Sequence, residues 1–271
     1  MPTPSESFDL SGRTALVTGG SRGLGRETVL ALAEAGADVM ISSRRLESCD
    51  ALAEEVRERT GARAETYACH VGHWEELEGL VEATYGAFGK LDVLVNNAGM
   101  SPLYESPSQV SEQLWDKVLD VNLKGPFRLT ALVGERMARD GGGSIINVSS
   151  VAATQPNATV IPYAAAKAGV NGLTLSFCRA FGPMVRVNSI LPGTFLTDVS
   201  QHWDMEEFEK EAQGFALQRG ADPVEIVGAM LYLASDASSY MTGSLLTIDG
   251  GFAIPPAHGQ VSPNRLAGSA G

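Results

Sequence analysis

The chain has 271 residues, 44 % of them apolar and 19 % charged, which is enough to bury one large core. Its formal charge of −12 repels nucleic acid and anionic membrane surfaces, and no stretch approaches eighteen uninterrupted apolar residues. Three widely spaced cysteines, Cys49, Cys69 and Cys178, argue against a disulfide scaffold or a Cys-rich metal site, and the histidines form no HExxH-type cluster. The first residues carry no basic-then-apolar leader pattern, so the expected location is the cytoplasm.

In chain order, residues 13–18 read as a strand that runs into glycines, followed by a helical pattern over about 23–35. A strand over 37–42 and a helix over 46–59 come next, then a strand over 62–68, a helix over about 74–88 and a strand over 91–96. One long helix is expected near 111–139, then a strand over 144–149, a helix over 163–181 and a strand over 185–190. Polar connections around 194–222 precede a helix near 223–234 and a last strand over 244–248. Near-continuous apolar strands alternating with helices indicate an α/β fold with a parallel sheet covered on both faces. No Pro- or Ser-rich break divides the chain, so residues 1–251 are expected to form one domain, with 252–271 as a tail.

Thr18-Gly19-Gly20-Ser21-Arg22-Gly23-Leu24-Gly25 follows the first strand and opens the first helix. Glycines let a backbone turn tightly and approach a pyrophosphate, while free amides at a helix start face its charge. A dinucleotide site is the functional reading and a bare glycine turn the bland one. The second strand separates the dinucleotides. An NAD site commonly ends it with Asp or Glu, which accepts from the ribose hydroxyls. This chain reads Ile41-Ser42-Ser43-Arg44-Arg45, with no carboxylate to repel a 2′-phosphate. Ser43 can donate a hydrogen bond, Arg44 can neutralise or stack over the adenosine phosphate end, and Arg22 is placed to reach the same phosphate. The expected cofactor is NADP(H); the alternative leaves Arg44 and Arg45 as ordinary solvent-facing residues.

Tyr163 and Lys167 stand i,i+4 on one helix face, which brings an ammonium close to a phenol. A nearby cation favours phenolate and lowers a tyrosine pKa from ~10 towards the working pH. Such a tyrosine hands a proton to a carbonyl oxygen, or removes one from an alcohol, while another group moves the hydride. Ser150, at the end of a buried strand, lies thirteen positions before Tyr163.

Taken together, Thr18 to Gly25, Asn96-Asn97-Ala98-Gly99, Asn122, Ser150, Tyr163-x-x-x-Lys167 and Pro192-Gly193 with Thr194 and Thr197 resemble the short-chain dehydrogenase/reductase family over roughly residues 10–252. The resemblance implies a Rossmann-type, seven-stranded doubly wound sheet and a Ser150-Tyr163-Lys167 centre assisted by Asn122. Asn97, Ala98 and Gly99 would flank the adenine ribose. Asn122 would sit at a break in the long helix and hold a water linked to Lys167, which would also bind the nicotinamide ribose. Pro192, Gly193 and Thr194 would border the nicotinamide, Ile190 would pack near it, and Thr197 would meet the pyrophosphate or the nicotinamide amide. No metal enters this chemistry. One departure stands out: family members often carry Asp-Val after the third strand, where the carboxylate meets the adenine amine. Here the text is Cys69-His70-Val71. The Val71 backbone contact can persist, and His70 either contacts adenine or is a surface residue.

The connection over 194–219 would form a substrate lid, with Phe195, Leu196, Trp203, Met205, Phe208 and Phe215 available to line it and His202 beside them. An apolar pocket suits a small-molecule ketone of medium or bulky size. The resemblance points to an NADP(H)-preferring carbonyl reductase, a 3-oxoacyl-carrier-protein reductase, or a sugar or steroid alcohol dehydrogenase. Glu206, Glu207, Glu209 and Glu211 in the lid weigh against an acidic carrier. A non-enzymatic cofactor-binding protein would be free to lose Ser150, Tyr163 or Lys167, and this chain keeps all three. Small apolar residues on the helix over 163–181, with Leu123 and Phe127 on the one before it, resemble the family's four-helix dimer contact. A homotetramer is expected, unless those residues bury against the protein's own core.

Overall fold

Seven short apolar runs become the strands of one sheet: β1 (Thr14–Thr18), β2 (Asp38–Ser43), β3 (Ala64–Ala68), β4 (Val93–Asn96), β5 (Gly143–Val148), β6 (Val185–Pro192) and β7 (Leu245–Ile248). The computed structural model describes residues 3, 6–198, 200 and 203–252. His202 and the expected tail beyond Phe252 lie outside the described residues. The strand order is β3-β2-β1-β4-β5-β6-β7, and every neighbouring pair is parallel. The helices are α1 (Gly23–Glu34), α2 (Leu46–Thr60), α3 (Glu76–Phe88), α4 (Glu112–Leu119), α5 (Gly125–Arg139), α6 (Ile161–Phe181), α7 (Met205–Ala212) and α8 (Val227–Ala234). No helix among the described residues is long and apolar enough to cross a membrane.

Side chains alternate across the sheet and build a core on each face. Val17, Val39, Ile41, Val95 and Ile146 pack with Leu30, Leu52 and Met230 on one side. Their neighbours Leu16, Met40, Leu94 and Ile145 pack with Leu80, Leu129 and Val133 on the other. Each such side chain contributes about 1.5–3 kcal/mol when fully buried, which is why β1 and β4 read as unbroken apolar runs. The chain leaves β1 outward through β2 and β3, then returns to place β4 on β1's other side. At that reversal the loops diverge and open a crevice at the carboxyl ends of the strands.

Two elements differ from the sequence expectations, and a third carries the break that the family resemblance implied at Asn122. The long helix over 111–139 is broken there: α4, capped by Ser111 accepting from the Leu114 amide at 3.1 Å, gives way to a π turn at Asp120–Lys124 before α5. Pro126 supplies a cause, because it has no N–H to return to the Asn122 carbonyl four residues back. Gly125 instead donates to the Asp120 carbonyl. Within the connection expected to be irregular lies α7, capped by Asp204, which accepts from the Glu206 and Glu207 amides. The helix expected over 223–234 begins as a 3-10 turn, Pro223–Ile226, before α8.

A buried polar row crosses the sheet near its carboxyl end. Register places Asn96 opposite Asn147, and Asn147 opposite Ser189. Asn96 Nδ2 donates to Asn147 Oδ1 at 2.9 Å and to Thr130 Oγ1 at 3.0 Å. Asn147 Nδ2 donates to Thr174 Oγ1 at 2.9 Å, and the Thr174 and Ser189 hydroxyls are 2.8 Å apart.

Candidate active site

The crevice begins at the turn from β1 to α1. Gly19 and Gly23 hold φ of +62° and +52°, in the left-handed region that side chains disfavour. A Cβ on Gly19 would fall 2.8 Å from Ala98 Cα, and one on Gly25 would fall 2.2 Å from the Gly19 carbonyl oxygen. The turn is therefore a cradle that only bare backbone fits. Arg22, the residue before α1, makes no capping bond from its side chain, so its own side chain leaves the first amides of the helix uncapped. This arrangement fits a pyrophosphate. The end of β4 is tied to the same turn: Asn97 Nδ2 donates to the Thr18 and Gly19 carbonyls at 3.0 Å each, and Thr18 Oγ1 accepts from the Asn97 and Ala98 amides.

One strand outward, Ser21 Oγ donates to Ser43 Oγ at 3.1 Å, and Ser43 also meets Cys49 Sγ at 3.1 Å. Arg44 is exposed and forms no ion pair among the described residues. Arg22 is placed differently from the sequence expectation. Its guanidinium pairs with Asp198 at 2.7 Å, and Thr197 lies against Gly23 on the same side. Leu24 packs on the core and Val71 is buried beside α5, its carbonyl 2.3 Å from where a Gly125 Cβ would stand. His70 is half-buried next to Val71.

Toward the middle of the sheet, Ser150 leaves β5 in extended backbone and caps a 3-10 turn by accepting from the Ala152 amide at 3.1 Å. Tyr163 and Lys167 rise from the first turns of α6. Lys167 Nζ donates to the Val148 carbonyl at 2.7 Å and lies 5.5 Å from the centroid of the Tyr163 ring. Asn122, wholly buried in the π turn, accepts from the Met100 amide at 3.1 Å and donates to the Met100 and Val118 carbonyls. A Cβ on Gly99 would stand 3.1 Å from Asn122 Oδ1 and 3.7 Å from Lys167 Nζ, so these three residues share one corner. Pro192 ends β6, and the Gly193 amide donates to the Ile248 carbonyl at 2.8 Å. A Cβ on Gly193 would strike Asp249 at 2.7 Å. The Thr194 carbonyl accepts from the Ala221 amide and anchors the segment that leads to Thr197.

The electrostatics correct one expectation. Burial raises the Tyr163 phenol above its usual value, and the Ser150 hydroxyl pulls it back only in part. Lys167 does not lower it: burial drives that ammonium down to about 8, and it is spent on the Val148 carbonyl. The sequence also placed no weight on Asp198 or Cys49, which bond Arg22 and Ser43; neither belongs to a local motif. The lid aromatics fall into two groups. Phe195 joins the main core, whereas Phe208 and Phe215 pack with Ala212, Leu196 and Phe252 into a cluster of their own.

A parallel sheet with a glycine cradle at its reversal point, flanked by a half-buried phenol and a buried ammonium, marks a dinucleotide-dependent oxidoreductase. The short chain dehydrogenase family model matches residues 13–207. The 3-oxoacyl-[acyl-carrier-protein] reductase FabG of Thermotoga maritima is 36 % identical over 246 residues, covering 90 % of this chain and 99 % of that protein. Among solved structures, an NADPH-dependent 3-quinuclidinone reductase from Rhodotorula rubra superposes with a TM-score of 0.87 at 31 % identity, over 93 % of this chain and 96 % of that one. A 7α-hydroxysteroid dehydrogenase complexed with NADH and 7-oxo glycochenodeoxycholic acid gives the same TM-score of 0.87 and 31 % identity, over 93 % and 98 % of the two chains. With likeness along nearly its whole length, the chain belongs to the short-chain dehydrogenase/reductase family. It is an NAD(P)-dependent enzyme that interconverts carbonyl and alcohol.

Proposed function

We propose that the protein reduces an apolar ketone to a secondary alcohol with NADPH, using Tyr163 as the general acid. The observation that carries this reading is the corner where Tyr163, Lys167, Ser150 and Asn122 meet beside the glycine cradle. When bound, the dinucleotide supplies the hydride to the carbonyl carbon. Gly19, Ser21, Gly23, Leu24 and Gly25 form the turn that takes its pyrophosphate, with Thr197 and Arg22 closing over it. Asn97, Ala98 and Gly99 flank the ribose, Val71 and His70 the base, and Pro192, Gly193 and Thr194 the nicotinamide. Ser150 donates to the substrate oxygen and steadies the charge that develops there. Tyr163, kept protonated by burial at neutral pH, gives its proton to that oxygen. Lys167 and Asn122 position the phenol and the ribose and return the proton from solvent.

NADPH is favoured over NADH by the end of β2, where Ser43 and Arg44, which forms no ion pair among the described residues, stand in place of a carboxylate. Solved relatives of equal likeness are described with either dinucleotide, so family membership alone does not choose. A second reading, a 3-oxoacyl-carrier-protein reductase, draws on the likeness to the Thermotoga protein. The acidic run on α7 weighs against an acidic carrier. Free thiols at Cys49, Cys69 and Cys178 suit a cytoplasmic setting. Ala165, Ala168 and Leu175 on the outer side of α6, together with Phe127 on α5, suit a close helix contact within a homotetramer. The test is a panel of ketones with each reduced dinucleotide, followed by loss of cofactor absorbance. Oxidation of NADPH by bulky apolar ketones is expected; faster turnover with NADH at equal concentration would overturn the cofactor assignment.

A further inference from the structure

The loops that follow β4 and β5 leave adjacent strands at the crevice, and one side chain joins them. The first loop is pinned early, where the Asn122 side-chain amide bonds both the amide and the carbonyl of Met100. Tyr104, four residues on and half-buried, crosses from it to the second loop. Its hydroxyl accepts from the Ile161 amide at 2.8 Å and donates to the Ala158 carbonyl at 2.8 Å. A phenol has one proton to give, and the Ala158 carbonyl takes it.

Ile161 is the first residue of α6, and Tyr163 stands two positions after it. The opening amides of a helix have no carbonyl partner within it. Here the usual remedy is missing: Val160, the residue before α6, has no side-chain oxygen to cap with, and Pro162 brings no N–H. The Ala164 amide closes the first turn on the Val160 carbonyl at 2.8 Å. The Tyr104 hydroxyl thus supplies, from another loop, the cap that the local sequence withholds. The incoming chain is shaped for it: Asn157 Oδ1 accepts from the Thr159 amide at 3.1 Å and from its hydroxyl at 2.8 Å, folding the turn that presents Ala158. Lys167, one turn further on, has its own anchor on the Val148 carbonyl. Consequently it is the phenol's end of the helix, not the ammonium's, that depends on Tyr104.

We propose that Tyr104 is a positioning residue for the reaction: by capping α6 from across the crevice, it fixes the backbone that carries Tyr163. It acts through that phenol and not on the substrate. The inference rests on the general-acid reading above and extends it to what holds the acid in place. Misplacing a reacting group by about 1 Å costs on the order of 10²-fold in rate, so a loosened first turn is read out in turnover.

The test removes one oxygen. Tyr104→Phe keeps the ring and loses both bonds. Amide exchange at Ile161, followed by mass spectrometry over residues 157–165 of the full-length protein, should quicken about fivefold, the worth of one hydrogen bond. The rest of the chain should exchange as before. With the fastest ketone of the panel above, kcat should fall roughly twofold to fivefold, while calorimetric binding of NADPH keeps the wild-type Kd. In the Tyr163→Phe background the same change should leave the residual rate where it is, because no phenol remains to be positioned. An unchanged kcat overturns the proposal, as does an equal loss in both backgrounds or faster exchange throughout the chain. The two readings fail separately. A near-normal kcat in Tyr163→Phe alone removes the general acid and this inference with it. A crippled Tyr163→Phe beside a normal Tyr104→Phe removes the inference and leaves the acid standing.

Discussion

Lys167 carries a measurable cost to the fold. Burial lowers its ammonium from the usual 10.5 to about 8. Between those values the unfolded chain holds more protons than the folded one, so stability rises with pH across the window. The shift makes the buried charge cost about 3 kcal/mol at pH 7 and about 2 kcal/mol at pH 9, a relief of about 1 kcal/mol over that interval. Lys167→Met removes the charge at similar length. It also strands the Val148 carbonyl, at about 1–3 kcal/mol, but that penalty does not vary with pH and drops out of the comparison. Urea unfolding of both proteins at pH 7, 8 and 9 gives the answer. The wild type should gain about 1 kcal/mol on the variant from pH 7 to pH 9, while the variant loses turnover throughout. A stability difference that stays flat, or shrinks in the other direction, would refute the reasoning.

Three further substitutions probe separate parts of the site. Tyr163→Phe should cut turnover by roughly 10²–10⁴-fold while NADPH binding, followed by fluorescence, stays close to wild type; a near-normal kcat would remove the phenol from the mechanism. Arg44→Ala should weaken NADPH about tenfold, the scale of a charge-assisted bond, and leave NADH almost unchanged; equal losses for both would make Arg44 a structural residue. Gly25→Ala forces a methyl group to within 2.2 Å of the Gly19 carbonyl oxygen. It should cost about 1–3 kcal/mol in thermal unfolding and abolish cofactor binding, and unchanged binding would show that the cradle tolerates widening.

The sheet was legible because its strands are buried on both faces, which writes them as plain apolar runs such as Ala15-Leu16-Val17 and Val93-Leu94-Val95. The glycine turn was legible because only one residue type tolerates such geometry. The break at Asp120–Lys124 was legible through the family resemblance at Asn122 and not through periodicity, because the apolar rhythm of Val118, Val121, Leu129 and Val133 continues through it, even though Pro126 marks the place. Within the lid, α7 was masked by its run of glutamates, although Asp204 as a cap and the spacing of Phe208 and Ala212 carry the signal. The Arg22–Asp198 pair has no sequence signature, since residues 176 positions apart meet only through the fold. The direction of the Tyr163 shift was misjudged for a related reason: helix spacing shows that an ammonium is near, but not that burial of the phenol outweighs it.

The chain of amides and hydroxyls from Thr130 to Ser189 acts as a vernier for the enzyme. Sliding any of its three strands by one residue would point these groups at the opposite helices and strand several dry polar atoms, at about 1–3 kcal/mol each. Slippage is thereby disfavoured at Asn147, three residues before Ser150 on the same strand exit. The strand that delivers Ser150 is thus held in register from below, independently of the loops above it.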